Sequence, residues 1–166
     1  RTMGERLTGA DVRKIEAEIE ERKLVLRPEL IQAVKEARAQ GDLSENFEYY
    51  AAKREKNRNE SRIAYLERML KFATIIEDRA AADEVGINKS VEVYFIDDDE
   101  SERYKIVTGI RGDTTAGRVS IESPLGKALL GHKVGDLVHV ALPQGGYDLE
   151  IRAIEADDSD DEIRSF

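Results

Sequence analysis

The stretch Glu36-Ala37-Arg38-Ala39-Gln40-Gly41-Asp42-Leu43-Ser44-Glu45-Asn46-Phe47-Glu48-Tyr49-Tyr50-Ala51-Ala52-Lys53 decides the fold. Runs of helix formers flank it on both sides, and Gly41 interrupts the helical pattern in its middle. Two long helices joined by so few residues must lie antiparallel, as a hairpin. With about 30 residues each, at about 1.5 Å per residue, they make a rod roughly 45–50 Å long.

Upstream, Thr8-Gly9-Ala10-Asp11 resembles a capping box with Asp in the Glu place, so the first helix is expected from Thr8 to about Gln40. Ile15, Ile19, Leu26, Leu30, Val34 and Ala37 recur at threes, fours and one seven, which marks an apolar seam. Pro28 is its weak point, because a proline removes a backbone donor and either kinks the helix or starts a second segment. Downstream, the spacing predicts a helix from about Ser44 to Ile76, with Ile63, Leu66, Leu70 and Ala73 on its inner face. The seam is strongest at the open end and fades toward a polar tip at 41–46.

Charge is unevenly placed along this rod. Between Ala39 and Ala52 the charged residues are Asp42, Glu45 and Glu48, all acidic. Immediately after come Lys53, Arg54, Lys56, Arg58, Arg62, Arg68 and Lys71 against Glu55, Glu60 and Glu67, a net of +4. An acidic tip is therefore backed by a basic shaft, to which Arg38 adds from the first helix. A plainer reading also fits: Asp42-x-x-Glu45 is a good arrangement for capping a helix N-terminus, and a basic stripe is commonly a solvated helix face.

The second half has a different character. The helical period ends after Asp78, and 79–88 reads as linker. Val91–Phe95 and Tyr104–Val107 alternate as strands across the acidic turn Asp97–Glu102. Ser123-Pro124 opens a short helix through Leu130, Lys133–Asp136 turns into a strand at Leu137–Leu142, and Pro143–Gly146 turns into another at Tyr147–Ile154. The pattern is α+β: a helical hairpin over 3–78 followed by a small β-rich unit over 89–156. Asp157–Glu162 carries an acidic run, so 157–166 is expected to be a disordered tail.

Composition narrows the chemistry. The 166 residues include no Cys, which excludes a disulfide scaffold, a thiol nucleophile and a cysteine zinc site. No stretch is apolar enough for a membrane helix, so a cytoplasmic protein without membrane contact is expected. Arg1-Thr2 ahead of Met3 reads as a cloning remnant or an in-frame leader rather than part of the fold. His132 and His139 lack a second ligand at metal-binding spacing, and no phosphate loop, HExxH or GxSxG occurs. The net charge of −9 argues against a nucleic-acid partner until it is resolved along the chain. Residues 1–80 carry +1 and residues 81–166 carry −10. The rod is nearly neutral.

Together these residues resemble a known family. Arg27-Pro28-Glu29, Glu36-Ala37-Arg38 and the run from Gly41 to Lys53 resemble the signature of the bacterial Gre transcript-cleavage factors, with the GreA type the nearer match. The likeness resumes at Arg62-Ile63, Leu66-Glu67, Ser123–Gly131, Val134-Gly135-Asp136 and Pro143-x-Gly145-Gly146, covering about residues 5–155 in the family's order.

That resemblance implies a coiled-coil hairpin followed by a domain of the FKBP-like fold. It implies a monomer whose partners are bacterial RNA polymerase, entered through its secondary channel, and the 3′ end of backtracked nascent RNA. The two tip acids of the family match Asp42 and Glu45, which would help to hold Mg²⁺ and position water in the polymerase's active centre. No metal is expected on the chain alone. Ser44 between them either helps to orient the nucleophile or simply begins the helix. Arg38, Lys53 and Arg54 match the basic patch that contacts RNA, and Ser123 and Pro124 match the loop that holds the polymerase's rim. The expected function is thus a protein cofactor of the polymerase's own nuclease, not an enzyme. An inhibitory paralogue that blocks the channel is the nearest alternative, and a peptidyl-prolyl isomerase or chaperone a more distant one. Phe47 stands where the family usually has Ala, and Arg54 where an acid is common.

Overall fold

The computed structural model describes residues 4–40 and 46–165. They form two compact units that divide between Thr74 and Ile75.

The first unit is the helical hairpin. Strand β1 (Arg6–Leu7) pairs with β2 (Thr74–Ile75), and the Thr74 N–H donates to the Glu5 carbonyl at 2.9 Å. Helix α1 (Gly9–Glu21) begins as its sequence predicts: the Asp11 N–H donates to Thr8 Oγ1 and the Thr8 N–H to Asp11 Oδ2, a complete capping box. Helix α2 (Arg27–Arg38) continues the same run, and α3 (Phe47–Phe72) returns along it.

Between α1 and α2 the backbone neither breaks nor starts afresh at Pro28. Residues Arg22–Leu26 form a π turn, in which the Arg27 N–H donates to the Arg22 carbonyl, one residue further back than in an α-helix. Pro28 then sits in the first turn of α2, where a missing N–H costs little. The wide turn leaves Leu24 68% and Val25 51% exposed.

Leu7, Ile15, Val34 and Ala37 meet Ile63, Leu66 and Met69 as the buried apolar set of this unit. The middle of the seam is polar instead. Asn59 and Arg62 are buried, and Arg62 Nε donates to Glu18 Oε2 at 2.9 Å, as Arg22 Nε does at 2.8 Å. Arg27 grips Glu60 with two hydrogen bonds of 2.9 and 2.8 Å, and Lys23 reaches Glu67 at 2.8 Å. The basic shaft read from sequence is therefore partly consumed: Arg62 belongs to the helix interface, and Arg58 pairs with Glu55.

The second unit is a five-stranded sheet in the order β5-β4-β3-β7-β6. Its strands are β3 (Lys89–Phe95), β4 (Glu100–Val107), β5 (Arg118–Ser120), β6 (Leu137–Val140) and β7 (Tyr147–Ala156). All pairings are antiparallel except β4 with β5. Alternating residues, Val91 and Val93, Val138 and Val140, Leu149 and Ile151, face one core, which Leu129 of α4 (Pro124–Leu129) also enters. The acidic stretch Asp97–Glu102 is an exposed hairpin turn running into β4, as expected.

Two sequence expectations fail here. The segment 79–88 is not a linker: Val85 and Ile87 are core residues, and the Val85 backbone exchanges hydrogen bonds with His132 and Gly131. Its lack of period hid two inward-facing side chains. Nor are residues 157–165 a disordered tail. Asp161 is buried, with Lys105 Nζ at 2.7 Å and Arg111 Nη1 at 3.2 Å, while the Arg164 N–H donates to the Ile110 carbonyl. Lys105 and Arg111 are themselves buried, and cations taken out of water demand a counter-charge. The acidic tail supplies it.

Candidate functional site

Three features surround the point where the chain turns from α2 to α3. Asp42, Ser44 and Glu45 lie outside the described residues, but their flanks do not. Asn46 caps α3: its Oδ1 accepts from the Tyr49 N–H at 3.0 Å, while its Nδ2 donates to the Ala37 carbonyl at 2.6 Å. One side chain thus closes the start of α3 and ties it to the last turn of α2. The sequence reading assigned that capping task to Asp42 or Ser44; Asn46 performs it.

Beside this tie, the Arg38 guanidinium lies 5.7 Å from the centre of the Tyr49 ring, a cation–π contact joining the two helices. Tyr49 in turn meets Tyr50 edge to face, with ring centres 5.3 Å apart. Lys53 and Arg54 follow one turn further along α3, both exposed and neither paired with an acid among the described residues. Arg38, Lys53 and Arg54, singled out from sequence as a basic patch, are therefore all solvent-facing cations on the first turns of α3 and the facing last turn of α2. Sequence reasoning overlooked Asn46 and the aromatic group. An Asn between a turn and a helical run was a readable capping signal.

Glu18 holds the shaft behind this region together. Burial raises its carboxyl pKa, but hydrogen bonds from Arg62 and Arg22 outweigh that and hold it below its ordinary value.

Ser123 and Pro124 form a separate, built corner of the globular unit. Ser123 caps α4, its Oγ accepting from the Gly126 N–H at 3.1 Å and donating to the Ser120 carbonyl at 2.7 Å. Pro124 follows at the first helical position and is exposed. Gly126 is required on packing grounds, since a Cβ there would strike the Ser120 carbonyl oxygen. The corner borders a cleft lined by Arg118, Ser120, Glu162 and Arg164 among others, so the C-terminal segment forms one of its walls.

Among the described residues no three His, Asp or Glu side chains converge on a metal position, and no helix is long and apolar enough to cross a membrane.

Comparison with known proteins gives this arrangement its context. Residues 5–75 match the family description "Transcription elongation factor, N-terminal", and residues 80–156 match "Transcription elongation factor, GreA/GreB, C-term". The chain belongs to the GreA/GreB family. Transcription elongation factor GreA of Streptococcus gordonii is 47% identical over 150 residues, covering 90% of this chain and 94% of that protein. GreA of Streptococcus pneumoniae serotype 19F is 46% identical over the same shares. Among solved structures, GreA factor homolog 1 of Thermus thermophilus is 29% identical, with a TM-score of 0.43 over 92% of this chain and 99% of its own. A GreA/GreB factor from Nitrosomonas europaea is 19% identical, with a TM-score of 0.40 over 92% and 98%. The hairpin and the sheet unit of this GreA-family chain thus correspond to the family's two matched regions.

Proposed function

We propose that this GreA-family chain binds bacterial RNA polymerase through its secondary channel, hairpin first, and stimulates the polymerase's own endonucleolytic cleavage of backtracked nascent RNA. The observation that carries this reading is the capping of α3 by Asn46. With the helix start already satisfied, the adjacent Asp42-Leu43-Ser44-Glu45 is not needed to begin α3. Two carboxylates three residues apart in the sequence between two long helices are then best explained by chemistry that the hairpin delivers to a partner.

The donor set fits Mg²⁺ in kind, since carboxylate oxygens are its preferred protein ligands, but two are too few to hold it without a partner's groups. Mg²⁺, when bound, would activate the attacking water and stabilise the leaving oxygen. Asp42 and Glu45 would complete that site and orient the water, with Ser44 as an additional hydroxyl. Arg38, Lys53 and Arg54 supply positive charge for the phosphates of the extruded RNA. Ser123 and Pro124 offer a rigid corner for docking on the polymerase's rim, and the hairpin's interhelical ion pairs keep the rod stiff enough to reach inward. The chain acts as a protein cofactor in this scheme, and the catalytic groups remain the polymerase's.

The test is a backtracked elongation complex carrying RNA labelled at its 3′ end, supplied with Mg²⁺ and this protein. Short 3′ fragments and resumed elongation are expected, with cleavage reduced at least a hundredfold in Asp42→Ala and Glu45→Ala, on the order of losing one positioned catalytic group. Inhibition without fragments would favour a channel-blocking role. Undiminished cleavage by the double variant would sink the tip mechanism.

A further inference from the structure

Helix α3 presents an aromatic and basic stripe that neither capping nor hairpin packing explains. Phe47 is 85% exposed, the largest exposure of any large apolar side chain among the described residues, and Tyr50 is 43% exposed. At about 100° per residue, Phe47, Tyr50, Arg54 and Arg58 fall on one face of the helix. All four are exposed, while the opposite face carries the buried Asn59, Ile63 and Leu66.

Among the described residues, Phe47 does not serve as a helix staple. A hydrophobic staple joins the residue before the N-cap to the fourth helical residue, but Phe47 is the first helical residue and Glu45 precedes the cap. An exposed phenyl ring gains nothing from water. Two residues after the acid pair, it lies where a flat partner would be useful. The charges beside it choose among partners: Lys53 and Arg54 pair with no described acid, so the stripe combines π-faces with positive charge. Single-stranded nucleic acid displays the complement, since every base has a π-face and every linkage a phosphate.

We propose that Phe47 and Tyr50 form a stacking platform for the unpaired bases of the extruded RNA 3′ end, with Arg54 taking an adjacent phosphate. The inference rests on the cleavage function proposed above and adds to it a contact with the bases. Stacking tolerates any sequence, so the platform would hold the RNA without restricting which transcript is cleaved. It would act by binding, and Phe47 and Tyr50 are positioning residues.

Backtracked complexes assembled on synthetic RNA separate this contact from others. In one set the extruded nucleotides carry their bases; in a second they are abasic, with sugars and phosphates intact. The full chain is expected to need on the order of tenfold more protein for half-maximal cleavage on the abasic set. Phe47→Ala with Tyr50→Ala should need that higher concentration on both sets, with the maximal cleavage rate unchanged. Arg54→Ala should weaken binding on both sets and preserve the ratio between them. In parallel, 4-thiouridine at the RNA 3′ terminus should photo-crosslink within residues 47–54 in complexes formed without Mg²⁺, a readout that does not require cleavage. Equal requirement on the two sets by the unaltered chain would overturn the platform, as would a penalty from the aromatic variants that persists undiminished on abasic RNA, which would mean the rings touch the polymerase. Cleavage lost with Asp42→Ala but crosslinks absent from 47–54 would preserve the proposed function and reject the inference. Crosslinks at 47–54 without any cleavage would do the reverse.

Discussion

Asn59 and Arg22 exchange two hydrogen bonds across the hairpin: Arg22 Nη1 donates to Asn59 Oδ1 at 2.9 Å, and Asn59 Nδ2 donates to the Arg22 carbonyl at 3.2 Å. The same carbonyl accepts the Arg27 N–H within the π turn. A backbone oxygen at the one irregular point of the helix is thereby satisfied twice, once from its own helix and once from its neighbour.

Replacing Asn59 with Ala removes both cross-hairpin bonds and leaves a buried space beside Arg22. The expected loss is about 2 kcal/mol of hairpin stability, within the usual range for stranding buried polar groups. Chemical denaturation followed by far-UV circular dichroism checks it. A loss no larger than that of an exposed α3 change such as Asn57→Ala would show that the pair does not matter.

Glu18 makes hairpin stability depend on pH. Its folded-state pKa lies below the ordinary 4.5, because hydrogen bonds from Arg62 and Arg22 outweigh the opposing effect of burial. The stability it contributes is therefore present above about pH 4.5 and is lost as pH falls through the lower folded-state value. Thermal melts from pH 6 downward should show a steeper decline for the unaltered chain than for Glu18→Gln, which should start lower and vary less. Parallel curves would exclude Glu18 as the titrating group.

Asn46→Ala should cost about 1 kcal/mol as a lost cap, and more where the Ala37 tie contributes. Faster amide exchange confined to the first turn of α3 is the direct readout. If the tie also fixes the neighbouring acid pair, cleavage stimulation should fall more in Asn46→Ala than in Asn46→Asp, which keeps the capping oxygen but cannot donate to Ala37.

His139 should titrate above its ordinary 6.5. Asp148 bonds to Nδ1 and the Gly145 carbonyl lies against Nε2, so both ring nitrogens face acceptors and favour the protonated imidazole. Its contribution to stability is complete below about pH 6.5 and disappears as pH rises through the higher folded-state value. NMR titration of the ring protons measures the midpoint, and Asp148→Asn should lower it.

In the globular unit, Asp161→Ala would leave Lys105 and Arg111 buried without their shared carboxylate. A loss of about 3–5 kcal/mol is expected, as for other broken buried pairs. Asp158→Ala, at an exposed position of the same acidic run, should stay within about 0.5 kcal/mol. Urea denaturation of the two variants side by side separates a buried counter-ion from a merely acidic tail.

Periodicity made the hairpin and most strands readable in advance, because Ile15, Ile63 and Leu66 or Val91 and Val93 repeat at the spacing of the element that buries them. The core role of Val85 and Ile87 was hidden, since two apolar residues beside a glycine have no measurable period. Asp161 was hidden for a different reason. Its neighbours are all acids, and only the tertiary position of Lys105 and Arg111 distinguishes it from them. Which polar residue caps α3 depends on where the helix begins, and that boundary is the hardest feature to place from sequence.

The π turn has a consequence for insertions and deletions. From Ile15 to Val34 is a step of 19 residues, which in an uninterrupted α-helix would leave the two side chains about 100° apart around the axis. Absorbing one residue in the wide turn shortens that step to roughly five whole turns and returns Val34 to the angular phase of Ile15. Deleting a single residue from Arg22–Leu26 would therefore yield a regular helix that keeps the seam, since the shortened step from Ile15 to Val34 makes about five whole α-helical turns. Inserting a residue there, or drawing the wide turn into plain α-helix without a deletion, would instead rotate everything from Pro28 to Arg38 by about 100°, carrying Val34 and Ala37 off the seam and swinging Arg38 away from Tyr49.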